Sequence, residues 1–386
     1  MTAIDPRDID LVRGLVAIPS PSRWEGEAVE WLVDRMAERG FRASVDDAGN
    51  AVGEIGDGPC HVVLLGHIDT VPGEIPLRME EGELVGRGAV DAKGPLAAFV
   101  AAATDVVAAV RVTVVGAVEE ESPTSAGARF RATLPAPDWC VIGEPSGWDG
   151  ITVGYKGRLV LRLRLERPVR HGASPGPTCA EEALELWQGI HAGAARWDGA
   201  ARAEDTSRGP DASRAVHAAR APDAARGPDR LDCRLEGVVA EGGGDGDGDA
   251  LVERAELRVG YRVPPGIETS ALERDVRRIA GAHSGEARIA VERIAAEEPA
   301  RTARTSSLAR AFARAIVDAG GRPVFKEKSG TSDMNVLAPA WRCPMIAYGP
   351  GDARYDHTPI ERLALADYAR SIAVLKGVLH RAAEPA

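Results

Sequence analysis

His67 and Asp69 stand two residues apart in GHIDTVPG (66–73), directly after an apolar run. In extended backbone such a pair projects to one side of the chain, so the carboxylate can orient an imidazole that binds a metal. A loop hydrogen bond would use the same two residues. Asp91, in GRGAVDAKG (86–94), sits at what reads as a helix entrance and would serve as N-cap or as ligand. VEEES (118–122) sets Glu119, Glu120 and Glu121 at the end of a second apolar run. Adjacent carboxylates repel, so this is either a solvated turn or a turn compensated by cations. Glu144 in IGEPS (142–146) and His357 in YDHTP (355–359) complete the set. Together these residues offer nitrogen and oxygen donors without thiolate, a set suited to zinc, cobalt or manganese. Two divalent cations would be balanced by Asp91, Glu121, Glu144 and a bridging hydroxide, with both histidines neutral. Glu120 is then left over to act as a base.

Such residues need a scaffold that brings distant loops together. Amphipathic helices are predicted over 7–17 and 25–39, the second stopped by Gly40. Apolar strands are predicted at 61–65, leading through Gly66 into a loop, and at 111–118 and 139–143, with a small-residue helix over 95–110. Alternating strands and helices imply a mostly parallel α/β sheet, whose strand ends and loops are the usual place for a site. Near Gly157 the pattern changes: 158–166 and 251–263 alternate apolar and charged residues, as half-exposed strands do. The α/β pattern returns with a helix over 307–320, a strand-to-loop at 343–351 and a terminal helix over 363–382. The reading is a catalytic domain in two parts, 1–156 and 297–386, with a smaller domain, 157–296, inserted. Within the latter, 194–249 carries Pro-Asp pairs, scattered arginines and GGGDGDGD, with a sustained pattern only at 231–239, and is read as partly disordered insertions. The Gly-Asp run lacks the flanking helices and final glutamate of an EF-hand.

The 386 residues carry 47 Lys and Arg against 58 Asp and Glu, a net charge of −11, which argues against nucleic acid as partner. No apolar run reaches the roughly 18 residues of a membrane span, and MTAIDPRDIDLVRG lacks the apolar core of a signal peptide. Five scattered cysteines without a CxxC fit a reducing compartment, so a cytoplasmic location is expected.

The order GHIDTVPG, GRGAVDAKG, VEEES, IGEPS and DHTP resembles the M20 metallopeptidase family, which includes aminoacylases, succinyl-diaminopimelate desuccinylase and acetylornithine deacetylase. The resemblance covers nearly the whole chain apart from 194–249. Longer strings at 66–99, 116–129, 142–159 and 328–335 are similar to the hydrolases that release lysine or ornithine from an amino-group carrier protein. The resemblance implies an α/β catalytic domain holding two divalent ions, zinc or cobalt, with an inserted α+β lid through which the chain forms a homodimer. It implies hydrolysis of the amide between the carrier's C-terminal glutamate side chain and the amino acid, in lysine or arginine biosynthesis.

By position, Asp91 resembles the bridging carboxylate, His67 and Glu144 complete one metal site, and Glu121 and His357 the other. Asp69 orients His67. Gly127 lies six residues past Glu121, near the family interval, which assigns Glu120 as base and Glu121 as ligand; Glu119–Glu120 is the alternative register. His171, in RHGASPG (170–176), resembles the histidine that stabilises the oxyanion in the partner subunit's site. Arg262, in GYRVPPG (260–266), resembles the lid arginine that grips a substrate carboxylate, and Ser329, Gly330 and Thr331 line the pocket. HTPIERL (357–363) departs from the pattern at Ile360, where a polar residue is expected; Glu361 follows it. An acidic carrier tail would favour a basic groove, which the lid arginines could supply. The same metal core would serve a deacylase of a small N-acyl amino acid or a dipeptidase, and a catalytically dead metal-binding interaction protein would share the motifs.

Overall fold

Cys60–His67, Val110–Ala117, Trp139–Gly143 and Met345–Tyr348 are almost continuously apolar and buried, as strands covered on both faces must be. In the structure, a computed structural model, they lie side by side and parallel, in the order Val110–Ala117, Cys60–His67, Trp139–Gly143, Met345–Tyr348. Gly116, Gly66, Gly143 and Tyr348 are opposite one another, so these strands end level and their following loops leave from one edge. That edge is where an open α/β sheet puts its ligands. Residues 4–105, 110–170, 175–206, 229–241 and 251–383 are described, without the side chains of 198–206.

Lys93–Ala103 is buried along its whole length and packs against the sheet, Pro6–Ala17 and Leu365–Ala382. Its alanines and glycine let neighbours approach from every side, which an ordinary amphipathic helix would not permit. Leu64, Val114, Val141, Phe99, Ile346 and Leu375 belong to the core that results. Ala51–Ile55 and Arg42–Val45 extend the sheet antiparallel beyond Val110–Ala117.

The chain packs as two units, one of Met1–Gly154, Arg301–Glu327 and Ser332–Ala386, the other of Tyr155–Ala300 with Lys328–Thr331. The second contains an antiparallel sheet in the order Asp232–Glu241, Val252–Val263, Gly157–Pro168, Arg288–Glu297. Leu159, Leu161, Leu163, Leu257 and Val259 pack with Leu186, Ile190, Leu272 and Val276 of the helices Cys179–Thr206 and Thr269–Gly281. The alternate positions are charged and matched: Arg162 and Arg164 pair with Glu256 and Glu292, Arg254 with Glu166, and Arg258 with Glu236. Each of these four guanidiniums already has a carboxylate.

In the described part of 194–249, regular structure extends further than the pattern at 231–239 predicted. The helix that begins at Cys179 continues to Thr206, and Asp232–Glu241 forms an edge strand. HAGAARWDGAARAED lacks a sustained apolar stripe but is rich in alanine, the strongest helix former, so propensity rather than periodicity marks it. The Gly-Asp run at 242–249 lies outside the described residues. Among the described residues no helix is long and apolar enough to cross a membrane, and the five cysteines are free thiols.

The close approach of the central strands is testable. A Cβ on Gly143 would lie 2.8 Å from the Gly66 Cα and 2.9 Å from the Phe99 ring. Neither can retreat inside a packed sheet, so Gly143→Ala should destabilise the fold by about 1–3 kcal/mol. Thermal unfolding followed by circular dichroism checks this, and an unchanged midpoint would mean that the strands are not packed this tightly.

Candidate metal centre

Each strand of the parallel set delivers an acid or an imidazole at its end. His67 closes Cys60–His67, Glu119–Glu121 follow Val110–Ala117, and Glu144 follows Trp139–Gly143. Asp91, joined to Ala92 by a cis peptide, stands two residues before the buried helix Lys93–Ala103, and His357 lies in the loop beyond Met345–Tyr348. Donor atoms of these residues converge in three groups: His67, Asp91 and Glu144; Asp91, Glu121 and His357; and His67, Glu120 and Glu121. Within each group the atoms lie within 4.8 Å of one another. Asp91 is common to the first two groups, one carboxylate oxygen turned to each histidine. His67 Nε2 is 3.1 Å from Asp91 Oδ1, and His357 Nε2 is 2.9 Å from Asp91 Oδ2 and 2.8 Å from Glu121 Oε1.

Asp69 has wider duties than the sequence suggested. It is fully buried, and His67 Nδ1 faces it, 3.0 Å from its carbonyl oxygen and 3.4 Å from Oδ1. The Glu120 and Glu121 backbone N–H groups donate to its two carboxylate oxygens at 3.1 and 3.0 Å, and Ser22 Oγ donates at 2.7 Å. One side chain thereby orients the imidazole and fixes the glutamate turn. Glu25, also buried, accepts from the Glu119 N–H at 3.1 Å. The Glu119 carboxylate pairs with Arg23 and accepts from Ser122 and Thr124, and it enters none of the three groups. The sequence reading missed Ser22 and Glu25. Their signal is slight, since Ser22 acts through the Asp69 carboxylate and Glu25 through the Glu119 backbone, partners reached only through the fold.

Asp333, in the string KSGTSDMN, is a further acid that the sequence reading left unassigned. It is 2% exposed and opens the helix Asp333–Trp341, whose Ser332 and Asn335 form a capping box. Burial, with the charges of Asp69 and Glu144, pushes its carboxyl up to about 7. Burial likewise pushes Glu120 well above the usual carboxylate range, reinforced by Asp333, Glu144 and Glu121 and opposed by His67. Burial and the Asp91 charge raise Glu121 against its hydrogen bond to His357. Burial works to raise Asp91 too, but hydrogen bonds from His357 and His67 hold it far below its ordinary value. Hydrogen bonds to Asp91 and Glu121 raise His357 to about 10. Burial opposes the charged form of His67, yet Asp69, Asp91 and Glu120 raise it well above the usual imidazole range. The cluster thus calls for positive charge, and its imidazole and carboxylate donors fit borderline divalent cations.

Arg262, Ser329 and Gly330 line a cavity of about 530 Å³ in the second unit, with Asp232, Arg234 and Glu236. Arg262 Nη1 is buried there without a hydrogen-bond partner among the described residues. Thr331 belongs to the same unit but is not among the cavity's lining. His171 lies outside the described residues.

Residues 63–381 match the model of peptidase family M20/M25/M40. The chain belongs to this family. A [LysW]-lysine hydrolase of Deinococcus radiodurans is 42% identical over 377 residues, 96% of each chain. A Pyrococcus abyssi relative, named for both [LysW]-lysine and [LysW]-ornithine hydrolysis, is 37% identical over 97% of this chain and 94% of its own. Among solved structures, a dinuclear metal binding peptidase of the M20 family from Bacillus subtilis shares the fold with a TM-score of 0.67 at 14% identity, covering 96% of this chain and 97% of that one. The M20 chain described here is accordingly a hydrolase with the mixed α/β fold that its motifs implied.

Sharing of Asp91 between two donor groups yields a graded expectation. Asp91→Asn should reduce bound metal from about two ions per chain towards none, whereas Glu144→Gln should leave about one, as expected when a shared and an unshared ligand are removed. Elemental analysis of the purified variants decides; equal losses would show that Asp91 serves one ion only.

Proposed function

We propose that this M20 hydrolase uses two divalent cations, zinc or cobalt, to release lysine or ornithine from the C-terminal glutamate side chain of a small acidic amino-group carrier protein in the cytoplasm. The observation that carries the substrate is the similarity along 96% of both chains to a protein named for that reaction on LysW-lysine. The convergence of His67, Asp91, Glu121, Glu144 and His357 supports the ion pair, with Asp91 between the two.

Bound there, two cations supply an acidified water and a polarised carbonyl. The protein does the rest. Glu120 lies with His67 and Glu121 but is not needed to complete the two groups that share Asp91. Its burial and its acidic neighbours raise its affinity for a proton. It therefore takes the proton of the attacking water and hands it to the departing amine nitrogen. Asp69 keeps His67 in one tautomer and the glutamate turn in place, so the base does not drift. The guanidinium of Arg262, with an unsatisfied N–H in its cavity, is matched to a carboxylate, and we assign it the α-carboxylate of the released amino acid. Ser329, Gly330 and Thr331 are assigned to the same subsite. His171 is assigned to the oxyanion, and the second unit to the lid and to contact between two copies of the chain.

Two measurements test this reading. Glu120→Gln should retain its metal and lose about two or more decades of turnover, the usual share of a general base; near-normal hydrolysis would remove Glu120 from that role. Mass spectrometry of carrier loaded with lysine or ornithine should show release on incubation with the enzyme, with little turnover of acetylornithine or succinyl-diaminopimelate. Preference for the small acyl amino acids would replace the carrier reading with a deacylase.

A further inference from the structure

Four residues beyond His357, a fully buried carboxylate stands between an exposed isoleucine and an arginine. Glu361 has no exposed surface, whereas its neighbour Ile360 is 52% exposed. A buried carboxylate is costly unless charge and hydrogen bonds answer it, and three donors do so here. Oε1 accepts the backbone N–H groups of Val90 at 2.9 Å and Asp91 at 3.0 Å, and Oε2 accepts Arg87 Nη1 at 2.9 Å. Its own carbonyl oxygen accepts the Gly86 N–H at 3.3 Å. Arg87 reaches onward, to the Thr358 carbonyl at 3.3 Å and to that of Gly73 at 2.9 Å.

These bonds tie together two loops that are 270 residues apart in the chain. One presents Asp91 and the other His357, and those two side chains meet at 2.9 Å. His357 has φ of 58°, a left-handed conformation that a histidine holds only when its surroundings fix it. Thr358, the next residue, is held by Arg87, and Arg87 is held by Glu361. The N–H bonded at Asp91 belongs to the residue that both donor groups share. Departure of the Glu361 carboxylate would free the backbone of one ligand and the clamp behind the other.

We propose that Glu361 is a positioning residue for the metal pair: it fixes the Asp91 loop against the His357 loop, so that the ion held by Asp91, Glu121 and His357 depends on it. The proposal rests on the two-cation reading above.

The test is cobalt(II) titration of the metal-free full-length protein, followed by calorimetry and by visible absorption. Glu361→Gln places an amide N–H₂ either against Arg87 or against two backbone donors. It should weaken the ion held by Asp91, Glu121 and His357 about ten- to a hundredfold, the usual effect of losing a partner that orients a ligand, with a changed cobalt spectrum and a smaller loss at the ion that shares Asp91 with His67 and Glu144. Glu361→Asp keeps the charge and should recover part of that loss. Should both variants prove insoluble, Arg87→Met removes the clamp and leaves the carboxylate, and the same selective loss is expected. Two ions bound with unaltered affinity and spectrum would overturn the proposal, even with a lowered melting temperature, because a packing role would move only the latter. Failure of the unsubstituted protein to bind two ions would sink the metal reading itself, a result distinguishable from the first.

Discussion

Like charges gathered in a space from which water is largely excluded set the terms for this molecule. Asp69, Asp91, Glu120, Glu121, Glu144 and Asp333 share one neighbourhood with two imidazoles. A fold would not retain such a group for stability, because charge repulsion grows as the effective dielectric falls. Asp69 accepts three hydrogen bonds, Asp91, Glu120, Glu121 and Glu144 each enter a donor group, and Asp333 Oδ1 is buried without a hydrogen-bond partner among the described residues. The site is therefore costly for the fold and useful only with positive charge brought to it.

Closely packed strands make the concentration possible. Glycines facing one another in adjacent strands let the sheet close up, and level strand ends put four separate loops on one rim. A helix built of small residues beneath them removes the bulk that would push the rim apart. Asp69 then serves as the hub where an imidazole, a hydroxyl and two backbone amides meet. Precision in the donor groups comes from backbone held by side chains, not from the ligands alone.

What could be read from the residues follows the same division. Donors that follow apolar strands were legible, because a strand end announces a loop and the loop holds an unusual acid or histidine. His67 and Glu144 are of this kind, whereas Asp91 was legible at a helix entrance and His357 in the loop before the last helix. Ser22, Glu25 and Asp333 were not, since each works through a partner distant in sequence and none differs locally from an ordinary turn or cap. The helix up to Thr206 was missed because propensity there substitutes for an apolar stripe. In the three-glutamate run, the Gly127 interval favoured Glu120 and Glu121, and the fold turns Glu119 towards Arg23 and Thr124.

The charged face of the second unit's sheet has a consequence of its own. Arginine and glutamate alternate across neighbouring strands there, so the field they produce cancels within a few ångströms. Beyond a Debye length of about 8 Å at physiological ionic strength, little of it would survive in any case. These paired arginines therefore do little to draw in a distant anionic protein, and added salt would scarcely change that small contribution.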